Sequence, residues 1–317
     1  MASRFDLREL EAPIVQAGMG AVARAELAAA VSEAGGLGTI AGTRAPIGRE
    51  LAAARSLTGR PIAVNLLLPF LRRSDAREAA AADAIVTFWG APRRLAACTW
   101  IHQCGSVREA QAAAAAGADA VIAQGIEAGG HVRGAAPALE LLEQIRDAVR
   151  IPVLVAGGIC EREDVAAALE AGAAAAVAGT RFLLSHESRA HPEYKRRCQE
   201  ARETVLTTLF GLGWPDAPHR VVRNPATDRW LGRGSSPPAW ISTAQRLTRG
   251  LVTRLPPGLE ARAVRLQRPG SALLSPRPPT DDGPPGLVDS GPLYAGETVA
   301  RIGDVLAASE IVARLTP

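Results

Sequence analysis

Between residues 13 and 178, short apolar runs alternate with alanine-rich segments of helical period, and this rhythm constrains the fold more than any other feature of the chain. Strands are expected near Pro13 to Ala17, Leu37 to Ala41, Ile62 to Asn65, Ala84 to Thr87, Trp100 to Gln103, Ala120 to Ala123, Val153 to Val155 and Ala175 to Ala178. Amphipathic segments such as Arg24 to Ala34, Val107 to Ala116, Pro137 to Val149 and Glu163 to Ala171 separate them. A strand, helix, strand alternation implies a parallel sheet, and eight such units imply a closed (β/α)8 barrel of the TIM type rather than an open sheet. Glycines at the helix ends, in Ala34-Gly35, Ala116-Gly117 and Ala171-Gly172, are placed to take the left-handed cap that returns the chain to the sheet. The fourth helix, around Ala91 to Cys98, is expected to be short.

The rhythm stops after Leu184. Glu187 to Thr204 reads as a charged helix and Trp240 to Leu255 as an amphipathic one, whereas Pro256 to Pro292 is rich in Pro, Gly and Ser and lacks periodicity. Glu297 to Leu315 reads as a closing helical segment that packs back on the barrel. The expected organisation is therefore a barrel of residues 1–202 plus 297–317, with residues 203–296 inserted as a small, mostly helical and irregular cap over the active-site face.

Bulk properties exclude several classes of function. With 47% hydrophobic residues the chain can fill a large core. No run approaches the ~18 apolar residues of a membrane span, and the charged opening from Met1 to Glu11 has no signal-peptide pattern, so a soluble, cytoplasmic protein is expected. The net charge of +4 is carried almost wholly by arginines interleaved with Asp and Glu, which describes a solvated surface rather than a nucleic-acid footprint. Lys195 is the single lysine. Cys98, Cys104, Cys160 and Cys198 form no CxxC pair and are expected as free thiols. His186-Glu187 and His191 resemble a zinc-binding HExxH but are one residue too far apart to share a helix face, so no metal is expected.

Polar and glycine residues gather where barrels carry their chemistry, at the C-terminal ends of strands. Gly18-Met19-Gly20 follows the first strand, Asn65 ends the third, Thr87-Phe88-Trp89-Gly90 the fourth, and Gln124 to His131 the sixth. Gly157-Gly158 and Gly179-Thr180 follow the seventh and eighth, where barrels bind phosphate on backbone N–H groups and a β-carbon would block its approach. Gly18 to Ala23 also fits a loose G-x-G-x-x-A dinucleotide fingerprint, but no acidic residue ends the second strand to hold a ribose. His131, on a loop behind two glycines, is the candidate general acid/base, with an ordinary pKa near 6.5 suited to neutral pH. Of His102, His186, His191 and His219, only His102 lies near a strand end where it could face the site. Asn65 and Gln124 can meet the polar edge of a flavin or satisfy loop backbone. Tyr294 can fold over a substrate pocket or pack the cap.

Together these stretches resemble the nitronate monooxygenases, formerly grouped as 2-nitropropane dioxygenases. The resemblance runs through Pro13 to Gly20, Ala34 to Gly38, Val64 to Leu66, Ala123 to His131, Ala156 to Ile159, Gly179 to Phe182 and Tyr294 to Glu297, with Glu127-Ala128-Gly129-Gly130-His131 the most specific part. It implies non-covalent FMN with Gly18, Met19 and Gly20 against the ring, Asn65 and Gln124 on its polar atoms, and Gly129 and Gly130 lining it. Gly157, Gly158, Gly179 and Thr180 would hold its phosphate, and His131 would stand as the catalytic histidine. The implied reaction oxidises an alkyl nitronate with O2 to a carbonyl compound and nitrite. An FMN-dependent NAD(P)H reductase of the quinone or enoyl-thioester type is the alternative within the same broad family. The chain departs from the family pattern at Gly18, where Pro is expected, at Glu297, where Gln is usual, and in its truncated fourth helix.

Overall fold

In the computed structural model, which describes residues 5–43, 45–252, 262 and 264–317, the eight expected strands pair side by side in parallel. They are β1 (Ile14–Gln16), β2 (Gly38–Ala41), β3 (Ile62–Leu67), β4 (Ala84–Phe88), β5 (Thr99–Cys104), β6 (Ala120–Gln124), and, after a two-residue strand β7 (Gly130–His131) that belongs elsewhere, β8 (Val153–Ala156) and β9 (Ala176–Ala178). The order β1-β9-β8-β6-β5-β4-β3-β2 returns to its start, because Val15 bridges Leu37 in parallel. Gln16 N donates to Leu37 O at 2.9 Å, Leu37 N to Ile14 O at 2.9 Å, and the Gln16 side-chain oxygen accepts from Thr39 N at 2.9 Å. The sheet is thus a TIM barrel.

Strand alternation sorts the barrel's side chains into two sets. Val15, Leu37, Ala63, Val86, Ile101, Ile122, Leu154 and Val177 pack together as the interior. Ile14, Trp100, Val121, Val153 and Val155 face outward into a layer shared with helices α1 (Ala25–Glu33), α4 (Val107–Ala115), α5 (Ala138–Ala148) and α6 (Arg162–Glu170), and Ile40, Ile62, Val64 and Ile85 pack with α2 (Ile47–Leu57) and α3 (Arg73–Ala79). The terminal helix Ala308–Leu315 adds Ala308, Ile311, Val312 and Leu315 to the outer layer.

Three elements differ from their expected form. Residues 91–98 form no helix. Pro92 disfavours helical backbone at Ala91, and the Arg94 guanidinium pins the segment instead by donating to Cys98 O at 3.1 Å, to the Asp119 carboxylate at 3.0 Å and to Gly117 O. Glu297 to Leu315 is not one helix. A 3-10 turn at Glu297–Arg301 and the helix Ala308–Leu315 are split where Arg181 holds Asp304, at 2.5 Å to its carboxylate and 2.9 Å to its carbonyl. The charged helix near 187–204 is the shorter α8 (Pro192–Glu200), started by Pro192 at its first turn and capped by His191 Nδ1 on Glu193 N.

The chain divides into two compact units, one of residues 1–128, 133–188 and 304–317, which is the barrel, and one of residues 129–132 and 189–303. The second unit holds, besides α8, α9 (Pro225–Leu231) and α10 (Ala239–Val252), an antiparallel sheet with no counterpart in the sequence reading. In it β11 (His219–Val222) pairs on one side with β10 (Val205–Thr207) and on the other with β7 and β12 (Leu293–Tyr294). Its core is Val205, Leu209, Phe210, Val221, Ala226, Leu231 and Leu274. Helix α10 starts at Ala239, close to the expected Trp240; the expected residues 253–255, and residues 256–261 and 263 of the stretch expected to be irregular, lie outside the described residues. The rest of that stretch includes a short helix, Leu287–Ser290. Among the described residues no helix is long and apolar enough to cross a membrane.

Two outcomes follow. A methyl group at Gly38 would overlap the backbone of Ala28 in α1, whereas one at Gly59 meets nothing within 4 Å. Gly38→Ala is expected to lose about 2 kcal/mol or more in urea unfolding and Gly59→Ala to stay near wild type. His102, on the outward face of β5, is buried and held at Nδ1 by Thr87 Oγ1 at 2.7 Å, and burial pushes its pKa down to about 4, Glu109 and Arg133 adding smaller opposed effects. It stays neutral in the fold while the unfolded chain takes up a proton near 6.5. Its contribution is therefore complete above pH 6.5 and is lost as pH falls from 6.5 to 4, by about 3 kcal/mol. Denaturation of His102→Asn should show a shallower pH dependence across that window than wild type.

Candidate functional site

The barrel unit collects its polar strand-end residues on the one rim where its parallel strands finish. Continuing the interior alternation upward, Asn65 on β3, Gln103 on β5 and Gln124 on β6 occupy inward positions of the top layer. Gln103 was missed in the sequence because no glycine or histidine marks it; the period of two from Ile101 finds it. Asn65 is buried and pressed against Gly18, where any β-carbon would overlap its side chain. Glycine at position 18, the departure from the family's proline, is therefore matched to Asn65. Gln124 is fixed by its side-chain oxygen, which accepts from Arg133 N at 2.8 Å. His102 lies on the outward face of β5, among the groups under the helices, and does not face the barrel interior.

At the ends of β8 and β9 the chain turns on glycine. Gly157 and Gly158 have φ of 117° and 78°, which only glycine adopts without cost, and a β-carbon at Gly158 would meet nothing within 4 Å. Gly179 faces Ala17 and Met19 at 3.7 and 4.0 Å from its own missing β-carbon, and Thr180 opens the short helix α7 (Thr180–Leu183). Open space beside Gly158, together with glycine backbone at Gly157 and Gly179, is an arrangement that fits a phosphate group held on N–H donors. The nearby N-terminus of α6 is already occupied, since Asp164 accepts from Cys160 N and Glu161 N at 2.9 Å each.

The loop after β6 is built by its own side chains. Both carboxylate oxygens of Glu127 accept from Ala138 N at 3.0 Å and so cap α5, and Gly125 is packed so closely on this cap that it has no room for a side chain. The glutamate of the specific motif is thus a structural clamp.

The second unit assembles its own cluster around His131. In β7, His131 lies opposite His219 of β11, its ring stacked on Trp214 at 4.0 Å and 25° and lying 5.3 Å from His219 and 5.6 Å from Tyr294. Gly129 is needed because a β-carbon would come within 2.5 Å of Gly296 N and 2.6 Å of Ala295 C. His219 is held in one tautomer: Nδ1 donates to Ala217 O at 3.0 Å and Nε2 accepts from Phe210 N at 3.2 Å. A proton on Nε2 would face that N–H, and burial lowers the His219 pKa to about 4. Burial first, and the neighbouring His219 second, hold His131 well below 6.5, so its imidazole is neutral at physiological pH and able to accept a proton. The Tyr294 hydroxyl donates to Pro276 O at 2.9 Å, and its carbonyl accepts from Tyr194 at 2.6 Å. Glu297 pairs with the buried Arg220 at 2.7 Å, so the carboxylate in place of the family's amide is matched by a cation within this unit. Sequence reading set His219 aside and did not single out Trp214, although Trp214 follows Gly211-Leu212-Gly213; the long-range pairing of β11 with β7 is what brings His219 to His131. Among the described residues no group of three His, Cys, Asp or Glu could hold a metal, and the four cysteines are free.

Comparison with known proteins fits this architecture. The family model described as "Nitronate monooxygenase" matches residues 3–94 and 90–317. The chain is 38% identical, over 72% of its length and 69% of the other, to a (3aS,4S,5R,7aS)-5-hydroxy-7a-methyl-1-oxo-octahydro-1H-indene-4-carboxyl-CoA dehydrogenase of Mycobacterium tuberculosis. It is 35% identical to a nitronate monooxygenase of Pseudomonas aeruginosa, over 70% of this chain and 81% of the other. The solved structure of a nitroalkane oxidase from Streptomyces ansochromogenes superposes with a TM-score of 0.75 at 29% identity, covering 98% of this chain and 96% of that one. The chain is a flavin-type oxidoreductase and belongs to the nitronate monooxygenase family.

Proposed function

We propose that the chain binds FMN at the barrel rim and oxidises alkyl nitronates with O2 to a carbonyl compound and nitrite. The observation that carries this reading is the neutral, aromatic-clamped imidazole of His131, set in a chain whose barrel rim offers glycine turns fit for a phosphate. Gly157, Gly158, Gly179 and Thr180 would hold the phosphate on backbone donors. Gly18, Met19, Gly20, Gly129 and Gly130 would lie against the ring, and Asn65 and Gln124 would meet its polar atoms. Bound there, FMN supplies the electron acceptor and the site of reaction with O2.

The chain's own residues handle the proton. His131, neutral before substrate binds, would take at an imidazole nitrogen the proton on the carbon that bears the nitro group of a neutral nitroalkane, leaving the nitronate that is oxidised; a substrate that arrives as the nitronate has already lost it. Trp214 stacking holds the ring in one orientation, and the fixed neutral tautomer of His219 keeps a second positive charge from forming beside it. Tyr294 offers its ring to the substrate side of this cluster, its hydroxyl being committed to Pro276. The reading assigns a small-molecule enzyme of the cytoplasm, a setting in keeping with four free thiols.

A second reading, an FMN-dependent NAD(P)H reductase acting on a quinone or an enoyl thioester, draws support from the 38% identical relative named as a dehydrogenase of a CoA thioester. In it His131 donates rather than removes a proton. The two separate on anaerobic mixing: NADH or NADPH bleaches the flavin of a reductase, whereas an alkyl nitronate reduces that of a monooxygenase without either.

The purified protein is expected to be yellow and to release FMN, not FAD, on denaturation; a colourless protein that takes up no added FMN would overturn the assignment. His131→Asn, which keeps a planar side chain against Trp214, is expected to retain FMN and to lose ~10²-fold or more in turnover, the usual scale for a general base. Equal rates in the two proteins would remove His131 from the chemistry.

A further inference from the structure

At the end of β4, within the barrel unit, Trp89 stands in the left-handed region at φ 62°, where a bulky aromatic is a rare and costly occupant. Gly90, next in the chain, has φ 84° and could have made the turn alone. The conformation is held from outside. The Arg133 guanidinium lies over the indole at 4.7 Å and donates through Nε to Glu109 at 2.7 Å, while Glu109 also accepts from Gly105 N at 2.9 Å. Gly105 has no room for a β-carbon because the backbone and side chain of Arg133 lie directly on it. Three successive rim segments, after β4, β5 and β6, are thereby tied to one indole, and no helix follows β4 to account for the bracing by packing. The side chain is half-buried.

A strained, half-buried aromatic braced by a cation thus stands at the end of the barrel strands, where parallel barrels carry their chemistry. We propose that Trp89 is a specificity-determining residue whose indole, positioned by Arg133, forms an apolar wall at the barrel rim for the non-reacting hydrocarbon part of the substrate. The inference rests on the reading that substrate is bound at this rim, and it extends that reading to a substrate class: molecules carrying an extended alkyl chain or a saturated ring rather than the smallest nitronates. The indole supplies a flat apolar face, Phe88 lies beside it with ring centroids 5.7 Å apart, and the cation on the indole is already paired with Glu109. Arg133 is a positioning residue, since it acts through the indole.

The test uses the FMN-loaded protein and unreactive probes, the straight-chain carboxylates acetate, butyrate, hexanoate and octanoate, with binding measured by calorimetry. Burial of a methylene on both sides strengthens binding about fourfold, and contact with one wall about twofold. Wild type is expected to gain about twofold per methylene, and Trp89→Gly, which adopts φ 62° freely, to lose that gain while melting no lower than wild type. Trp89→Asn, also tolerant of this backbone, serves if the glycine variant folds poorly. Arg133→Gln is expected to reduce the gain, and its combination with Trp89→Gly to reduce it no further than Trp89→Gly alone. The same gain per methylene in wild type and the Trp89 variants, or no binding of any probe by wild type, overturns the wall. If the gain is lost in the variants but wild type turns over no nitronate, the wall stands and the nitronate reaction falls.

Discussion

Everything on the rim depends on closure of the barrel between β1 and β2, and that closure is thin. A parallel sheet buried on both faces cannot leave an edge, because each unpaired N–H or C=O would be shut away from water. Here β1 is three residues long and meets β2 through the bridge of Val15 with Leu37. The Gln16 side chain lengthens the seam by accepting from Thr39 N, one step beyond the backbone ladder. A fully buried amide spent in this way is a structural part, and it fixes the height at which Gly18 emerges against Asn65.

The two units solve different electrostatic problems. The barrel rim offers uncharged backbone donors at Gly157, Gly158 and Gly179, which suit an anion without adding a cation to the interior. The second unit offers imidazoles held neutral by burial, and it pairs its buried Arg220 with Glu297. A proton acceptor is useful at neutral pH only if it is not already protonated, and low solvation at His131 works in that direction.

Legibility in the sequence followed the range of the interaction that fixes each element. The eight barrel strands were readable because each carries its own short apolar period, and Gly35, Gly117 and Gly172 were readable because a left-handed cap is a one-residue requirement, met here at φ 93°, 86° and 86°. The strand candidates matched to within two residues at each end. The antiparallel sheet of the second unit was not readable, since β7, β10 and β12 are two or three residues long and the pairs His131 with His219 and Val221 with Tyr294 are separated by most of a domain. His219 was set aside for the same reason: its significance lies in its partner across the sheet. The missing fourth helix was half legible. The segment was expected to be short, but that Arg94 would pin it through Cys98 O, Gly117 O and the Asp119 carboxylate could not be seen locally.

The most specific motif shows why a pattern can be diagnostic without being chemical along its length. In Gln124 to Gly134, Gly125 makes room for the Glu127 clamp, Glu127 caps α5, Gly129 admits Ala295 and Gly296, Arg133 locks the amide of Gln124 through its N–H, and Gly134 lies on the Gln124 carbonyl. Gly125, Glu127, Gly129 and Gly134 each answer a demand of distance or capping that few other residues could meet. His131, which burial holds neutral at physiological pH, is the residue of the run to which the proposed function gives the proton. A change at Glu127 or Gly129 would therefore act through geometry, whereas in the proposed function a change at His131 acts through the proton.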